Sequence, residues 1–159
     1  VKAVKAAVGP RVGRDILFVN ADSRANSLLP PTDQGRRIFP DKLVSIGKVE
    51  VDMVTLDEVA GKEKLQTVDF LKIDVQGSEL AVLAGAKSTL AHVRVIQVES
   101  NFIPQYLGSS TFSEVDLRLR EAGFRLHNLY NIYQDPVSRR RVYALGVFLN
   151  TTYFPDGIS

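Results

Sequence analysis

The sequence predicts an α/β fold built on a parallel sheet and closed by an antiparallel hairpin. Three observations carry that prediction. Val68–Val75 and Val93–Val98 are apolar runs of strand length separated by a short helical pattern, which is the spacing of a crossover unit. Phe124–Tyr133 and Arg141–Leu149 are two further runs joined through Asp135-Pro136, as an antiparallel hairpin requires. Thr55…Glu58 and Thr111…Glu114 have the spacing of capping boxes, so each marks a helix start.

Taken in order, Val1–Val8 suits either a helix, through Val1, Val4 and Val8, or a strand, and Gly9-Pro10 ends it. Asp15–Asn20 has strand composition, with the preceding run as its expected partner. Residues 21–41 are rich in Ser, Asn, Asp, Pro and Gly and predict a long loop, a length usually tied to function or mobility. Val49–Met53 alternates, predicting a strand with one buried face. The helix from Thr55 is short, because Gly61 and Lys62-Glu63-Lys64 follow. After Val75, Gly77 supplies the backbone freedom of a tight turn, Ser78 is placed to cap the next helix, and Leu80, Leu83 and Ala84 share a helical face. The helix from Thr111 buries Val115, Leu119 and Ala122, and Gly123 stands where a C′ glycine belongs. Thr151–Ser159 is a tail.

Composition narrows the function classes. With 159 residues, 45% hydrophobic and 24% charged, the chain fits one soluble domain over residues 1–159. A net charge of +2 argues against nucleic acid or an anionic membrane surface as partner. There is no cysteine, so disulfides, thiolate nucleophiles and Cys-based zinc sites are excluded. No apolar run has the length of a transmembrane helix and no signal-peptide core opens the chain, so a cytoplasmic location without membrane attachment is expected.

In parallel sheets ligands bind beyond the carboxyl ends of the strands, where Asp74, Gln76, Glu99 and Asn101 are expected. Lys72 and Asp74 lie two apart and leave the same face of one strand. They form either a structural ion pair or part of a site in which Asp74 orients or deprotonates an acceptor hydroxyl. Glu99 ends the next strand, where it caps a loop or serves as a base. His92 and His127 have no acidic or Cys partners at metal spacing, so no metal site is expected. Arg139-Arg140-Arg141 suits a phosphate or, more simply, a solvated loop, and Asn150-Thr151-Thr152 has the form of a glycosylation sequon.

Several motifs in the right order resemble the FkbM family of S-adenosylmethionine-dependent methyltransferases. They are VDMVTLD (51–57), DFLKIDVQGSEL (69–80), LAGA (83–86), VIQVES (95–100) and EAGF (121–124), with NSLL (26–29) upstream. The resemblance implies a Rossmann-like class I methyltransferase sheet whose last strand is antiparallel. It also implies S-adenosylmethionine as cofactor and a small-molecule hydroxyl, on a sugar or related compound, as methyl acceptor. Carried onto this chain, it makes Asp74, Glu99 and Lys72 the catalytic candidates. Asp74, Val75 and Gln76 become the cofactor contacts, and Asn26, Ser27 and Asn101 the acceptor contacts. Two departures stand out. The strand and glycine-rich loop that cradle the cofactor have no counterpart, so the sequence is expected to be N-terminally truncated, starting near the family's third strand. Gln76 stands where the family usually has Glu.

That truncation leaves the strand at Val68–Val75 with an open edge, which favours pairing with another chain. The competing expectation is therefore a non-catalytic module that self-associates as a homo-oligomer or binds a partner through that edge. A nucleotide-binding oxidoreductase ranks below both, because no G-x-G-x-x-G follows a strand.

Overall fold

A computed structural model describes residues 2–156. It contains seven strands and four α-helices among those residues: β1 (Ala7–Val8), β2 (Gly13–Asn20), α1 (Asp33–Ile38), β3 (Ser45–Val54), α2 (Leu56–Lys62), β4 (Val68–Ile73), α3 (Glu79–Ala84), β5 (Val93–Asn101), α4 (Phe112–Glu121), β6 (Phe124–Gln134) and β7 (Arg141–Asn150). The strands form two sheets, ordered β1-β3-β2 and β4-β5-β7-β6. Val1 and residues 157–159, on which parts of the N-terminal and tail expectations fell, lie outside the described residues.

The crossover unit forms as expected. β4 and β5 pair in parallel, with Lys72 opposite Gln97 and Ile73 opposite Val98. The C-terminal hairpin forms too, and its second strand inserts between β5 and β6, antiparallel to both. One face of this sheet carries Leu71, Ile73, Ile96, Val98 and Phe148, which join Val82 and Leu83 of α3 and Val115 and Leu119 of α4 in the main core. Burying a side chain of this size contributes on the order of 1.5–3 kcal/mol. The other face is less covered. Along β7 the burial alternates, with Val142, Ala144 and Phe148 fully buried and Tyr143, Leu145 and Val147 only half-buried.

Several expectations need correction. β2 pairs with β3, in antiparallel register Leu17 to Val49, and not with the preceding run, which instead pairs in parallel with Met53 and Val54 at the far end of β3. The alternating stretch of β3 lacks a buried face: Met53 is buried, whereas Val49 is 49% exposed. β4, by contrast, is the edge strand the sequence led one to expect, and Phe70 on it is 54% exposed. The 21–41 segment holds a 3-10 turn at Ser23–Ala25 and the helix α1, which Thr32 caps by accepting from Gly35 N–H at 2.9 Å.

The helix starts divide three ways. Glu114 reaches back to the Thr111 N–H at 2.8 Å, completing that capping box. Thr55 accepts from Glu58 N–H at 3.0 Å, but the Glu58 carboxylate turns to Lys62 at 2.8 Å. Ser78 makes no side-chain cap: its backbone, at φ −98° and ψ 23°, departs from the extended conformation of a capping residue, and the Glu79 carboxylate turns back to the Gly77 N–H at 2.8 Å. On α3, Val82 and Leu83 are buried, Leu80 packs partly against the core, and Ala84, expected on the same face, is exposed.

Candidate functional site

The parallel register of β4 and β5 carries one step beyond Ile73–Val98 to place Asp74 and Glu99 side by side at the carboxyl ends. They open into a cleft of about 290 Å³. Asp74, Gln76 and Glu99 line its inner part. Asp22, Arg24, Ala25, Phe39 and Lys42 come from the 21–43 segment, Gln105 and Tyr106 from the loop after β5, and Tyr143 from β7.

A single side chain connects the carboxylates. The Gln76 amide donates to Asp74 Oδ1 at 2.8 Å and to Glu99 Oε1 at 3.3 Å. Its oxygen lies 3.1 Å from the Tyr106 hydroxyl, which also donates toward the Ala25 carbonyl at 3.0 Å. Gln76 adopts a left-handed φ of 53°, and Gly77 follows at 101°. A non-glycine residue held there costs on the order of 1 kcal/mol or more, so the turn must be tied from outside. Ser27 Oγ donates to the Gln76 carbonyl at 2.7 Å, and Ser110 donates to the Gly77 carbonyl from its N–H at 3.0 Å and its hydroxyl at 3.1 Å. Beneath the turn, Glu79 is 1% exposed and also accepts from Ser110 Oγ at 2.7 Å. Gly77 has no room for a side chain, because a Cβ there would sit 2.8 Å from that of Ser109.

Electrostatics single out Glu99. Burial, reinforced by the negative charge of Asp74, pushes its carboxyl up to about 7, against the lowering effect of the Gln76 hydrogen bond. Burial likewise raises Glu79, despite its hydrogen bonds from Ser110 and Gly77. The Tyr106 hydroxyl is raised by burial and then by Glu99. At the mouth, Asp22 is held below the usual carboxylate range by its hydrogen bonds from Arg24 at 2.9 and 3.0 Å, while Lys42 lies 5.4 Å from the centre of the Phe39 ring.

The expected site residues are thus divided. Asp74, Glu99 and Gln76 meet in the cleft. Lys72 lies outside its lining, more than half exposed, and pairs with Asp74 at 3.1 Å, which is the structural pairing weighed from the sequence. Val75 packs against the core. Asn26 accepts from the Asn20 N–H at 2.9 Å, and the buried Asn101 accepts from Gln105; with Ser27 they build the walls of the cleft and do not line it. Asn150, of the sequon, is 3% exposed and donates its side-chain amide to the Val93 carbonyl at 2.8 Å, which leaves no acceptor nitrogen at the surface.

Sequence reasoning missed Tyr106, Gln105, Phe39 and Tyr143. The loop after β5 was the available signal for the first two, since it follows a strand whose end lines the site. Tyr143 reaches the cleft because it pairs with Asn101 across the β5–β7 ladder.

The walls themselves are joined. Thr32 N–H donates to the Gln105 carbonyl at 2.9 Å, Leu107 N–H donates to the Pro30 carbonyl at 2.8 Å, and Pro31 bridges to Tyr106. Gly35 packs so closely on the Gln105 carbonyl that a Cβ would not fit.

The Methyltransferase FkbM domain profile matches residues 2–126, most of the chain. The chain belongs to the FkbM methyltransferase family. A 53-residue stretch is 38% identical to the 2-O-methyltransferase NoeI of Sinorhizobium fredii (strain NBRC 101917 / NGR234), covering 33% of this chain and 22% of that protein. The match therefore covers well under half the length of this curated relative. No solved structure matches the chain. Among the described residues, no helix is long and apolar enough to cross a membrane, and no group of three or more His, Asp or Glu is placed to hold a metal ion.

Proposed function

We propose that this FkbM domain supplies the acceptor side of an S-adenosylmethionine-dependent O-methyltransferase, acting on a hydroxyl of a sugar or related small molecule. The observation that carries the reading is the carboxylate pair Asp74 and Glu99 at the ends of adjacent parallel strands, with Glu99 poised near 7. A general base works best when its pKa lies near the working pH. The order β4-β5-β7-β6, with β7 reversed, supports a Rossmann-like class I sheet. The 2-O-methyltransferase relative supports an oxygen acceptor.

The residues present fit the positively charged end of the cofactor. Two carboxylates share the cleft, and Glu99, raised first by burial and then by the charge of Asp74, is a group whose ionised form a nearby cation would favour. When bound, S-adenosylmethionine supplies an electrophilic methyl on a sulfonium. Glu99 accepts the proton of the acceptor hydroxyl. Asp74, held by Lys72 and Gln76, orients that hydroxyl, and the rings of Phe39, Tyr106 and Tyr143 offer apolar surface to the acceptor's C–H faces. Much of the catalysis in such a reaction is alignment.

Isothermal titration of the folded protein with S-adenosylhomocysteine is expected to give saturable heat. A flat titration at millimolar ligand, with the protein folded, would count against a cofactor site on this chain.

A second reading has its own support. β4 lies at the sheet edge with Phe70 exposed beside it, so a self-associating module paired through that edge is also proposed.

A further inference from the structure

We propose, resting on the acceptor reading above, that the acceptor is a phosphorylated sugar: its hydroxyl meets Asp74 and Glu99, and its phosphate meets Lys42 and Arg24 across the same cleft. The charges lining the cleft are sorted by wall. The strand ends contribute two carboxylates, Asp74 and Glu99. The 21–43 segment contributes two cations, Arg24 and Lys42, with one carboxylate, Asp22. Asp22 is matched within its own segment, because Arg24 donates to it from Nε at 3.0 Å and from Nη2 at 2.9 Å. Nη1 of Arg24 makes no hydrogen bond among the described residues, and the side chain is 85% exposed. Lys42 forms no ion pair among the described residues, and its ammonium lies over the Phe39 ring. With Arg24 and Asp22 cancelling, Lys42 is the net charge of this wall. A neutral sugar would leave that ammonium with water alone. A phosphate ester gives it a counter-charge and gives the Nη1 edge of Arg24 an acceptor.

The neighbouring hairpin is charged the same way. Its tip carries Arg139, Arg140 and Arg141, a run whose sequence suits either a phosphate or a solvated loop. Because β7 runs antiparallel to β5, with Tyr143 opposite Asn101, the tip projects past the carboxyl end of β5, the end at which the cleft lies. The root of the hairpin packs on the cleft wall, since the Phe39 ring meets those of Tyr133 and Tyr143 with centres 5.2 and 6.5 Å apart. All three arginines are exposed and unpaired among the described residues, and the one carboxylate of the tip, Asp135, is turned to the Ser138 N–H at 2.8 Å. Positive charge fixed beside a cleft draws anionic ligands toward it, an effect that salt weakens. The chain's net charge of +2 hides this local excess.

The test needs no methyl donor, so it can fail while the methyl-transfer reading stands, and the reverse. The full chain is titrated with glucose 1-phosphate, glucose and inorganic phosphate, and binding is followed by 15N-resolved NMR. Wild type is compared with Lys42→Gln and with Lys48→Gln, the latter an exposed lysine outside the cleft lining. At low salt glucose 1-phosphate is expected to bind about fivefold more tightly than either glucose or inorganic phosphate. Lys42→Gln is expected to remove most of that preference, Lys48→Gln to keep it, and added salt to shrink it. No preference for glucose 1-phosphate over glucose, a preference that survives Lys42→Gln, or inorganic phosphate bound as tightly as the sugar phosphate would each overturn the proposal. Prior saturation with S-adenosylhomocysteine is expected to leave the preference intact. Its loss would assign the cations to the carboxylate of the cofactor and overturn the proposal as well.

Discussion

Replacing Glu99 by Gln tests the electrostatics of the cleft through stability alone. Folded Glu99 binds its proton more tightly than an ordinary glutamate, with its pKa moved from 4.5 to about 7. Between those values the folded chain keeps a proton that the unfolded chain has released. Stability therefore falls as pH rises through that window, and the loss is complete above about 7. A shift of that size corresponds to roughly 3 kcal/mol at about 1.4 kcal/mol per pH unit. The carboxylate is only partly buried, so solvent at the cleft reduces the expected loss to about 1–2 kcal/mol. Glu99→Gln stays neutral at every pH, and its amide oxygen still accepts from Gln76. Urea unfolding followed by circular dichroism should show the variant about 1–2 kcal/mol more stable than wild type at pH 8 and nearly equal at pH 4.5. Glu79 is raised in both proteins and cancels in the comparison. A variant no more stable than wild type at pH 8, or a difference that does not change with pH, would refute the assignment of a strained, charged Glu99. In a methyl-transfer assay the same variant is expected to lose most of its activity, about a hundredfold or more, because the base is gone.

Gly77→Ala places a Cβ 2.8 Å from that of Ser109 at a φ of 101°, so a loss of roughly 2–4 kcal/mol is expected in urea unfolding; a loss below about 1 kcal/mol would mean the turn is not tied as described. For the sheet edge, light scattering at high micromolar protein is expected to show a dimer or larger species that Phe70→Glu disperses. A monodisperse wild-type monomer would remove the case for self-association.

Much of the fold was legible because it rests on local patterns. The apolar runs at Val68–Val75 and Val93–Val98 gave the parallel pair, and the Thr111–Glu114 spacing gave a true capping box. The pairing of β2 was not legible, since alternation says which side chains share a face and not which strand lies alongside. Ser78 failed as a cap because the turn through Gln76 and Gly77 leaves its backbone outside the extended conformation a capping residue takes. At the site, Asp74 and Glu99 followed from strand ends and parallel register. Tyr106 did not: its contacts run to residues 30 and 81 positions away, and no spacing rule reaches that far. Asn26, Ser27 and Asn101 lie outside the cleft lining, and their polar atoms serve its walls.

The joining of the segment around Thr32 to the loop around Gln105 has a consequence for traffic into the cleft. Two backbone hydrogen bonds and a close-packed glycine join the two segments into one wall rather than two flaps. An acceptor cannot be admitted by swinging either segment aside alone, since doing so would strand the Gln105 and Pro30 carbonyls without partners. A shift of one segment would draw the other with it, and Tyr106, which sits on the second, would carry its hydroxyl away from Gln76.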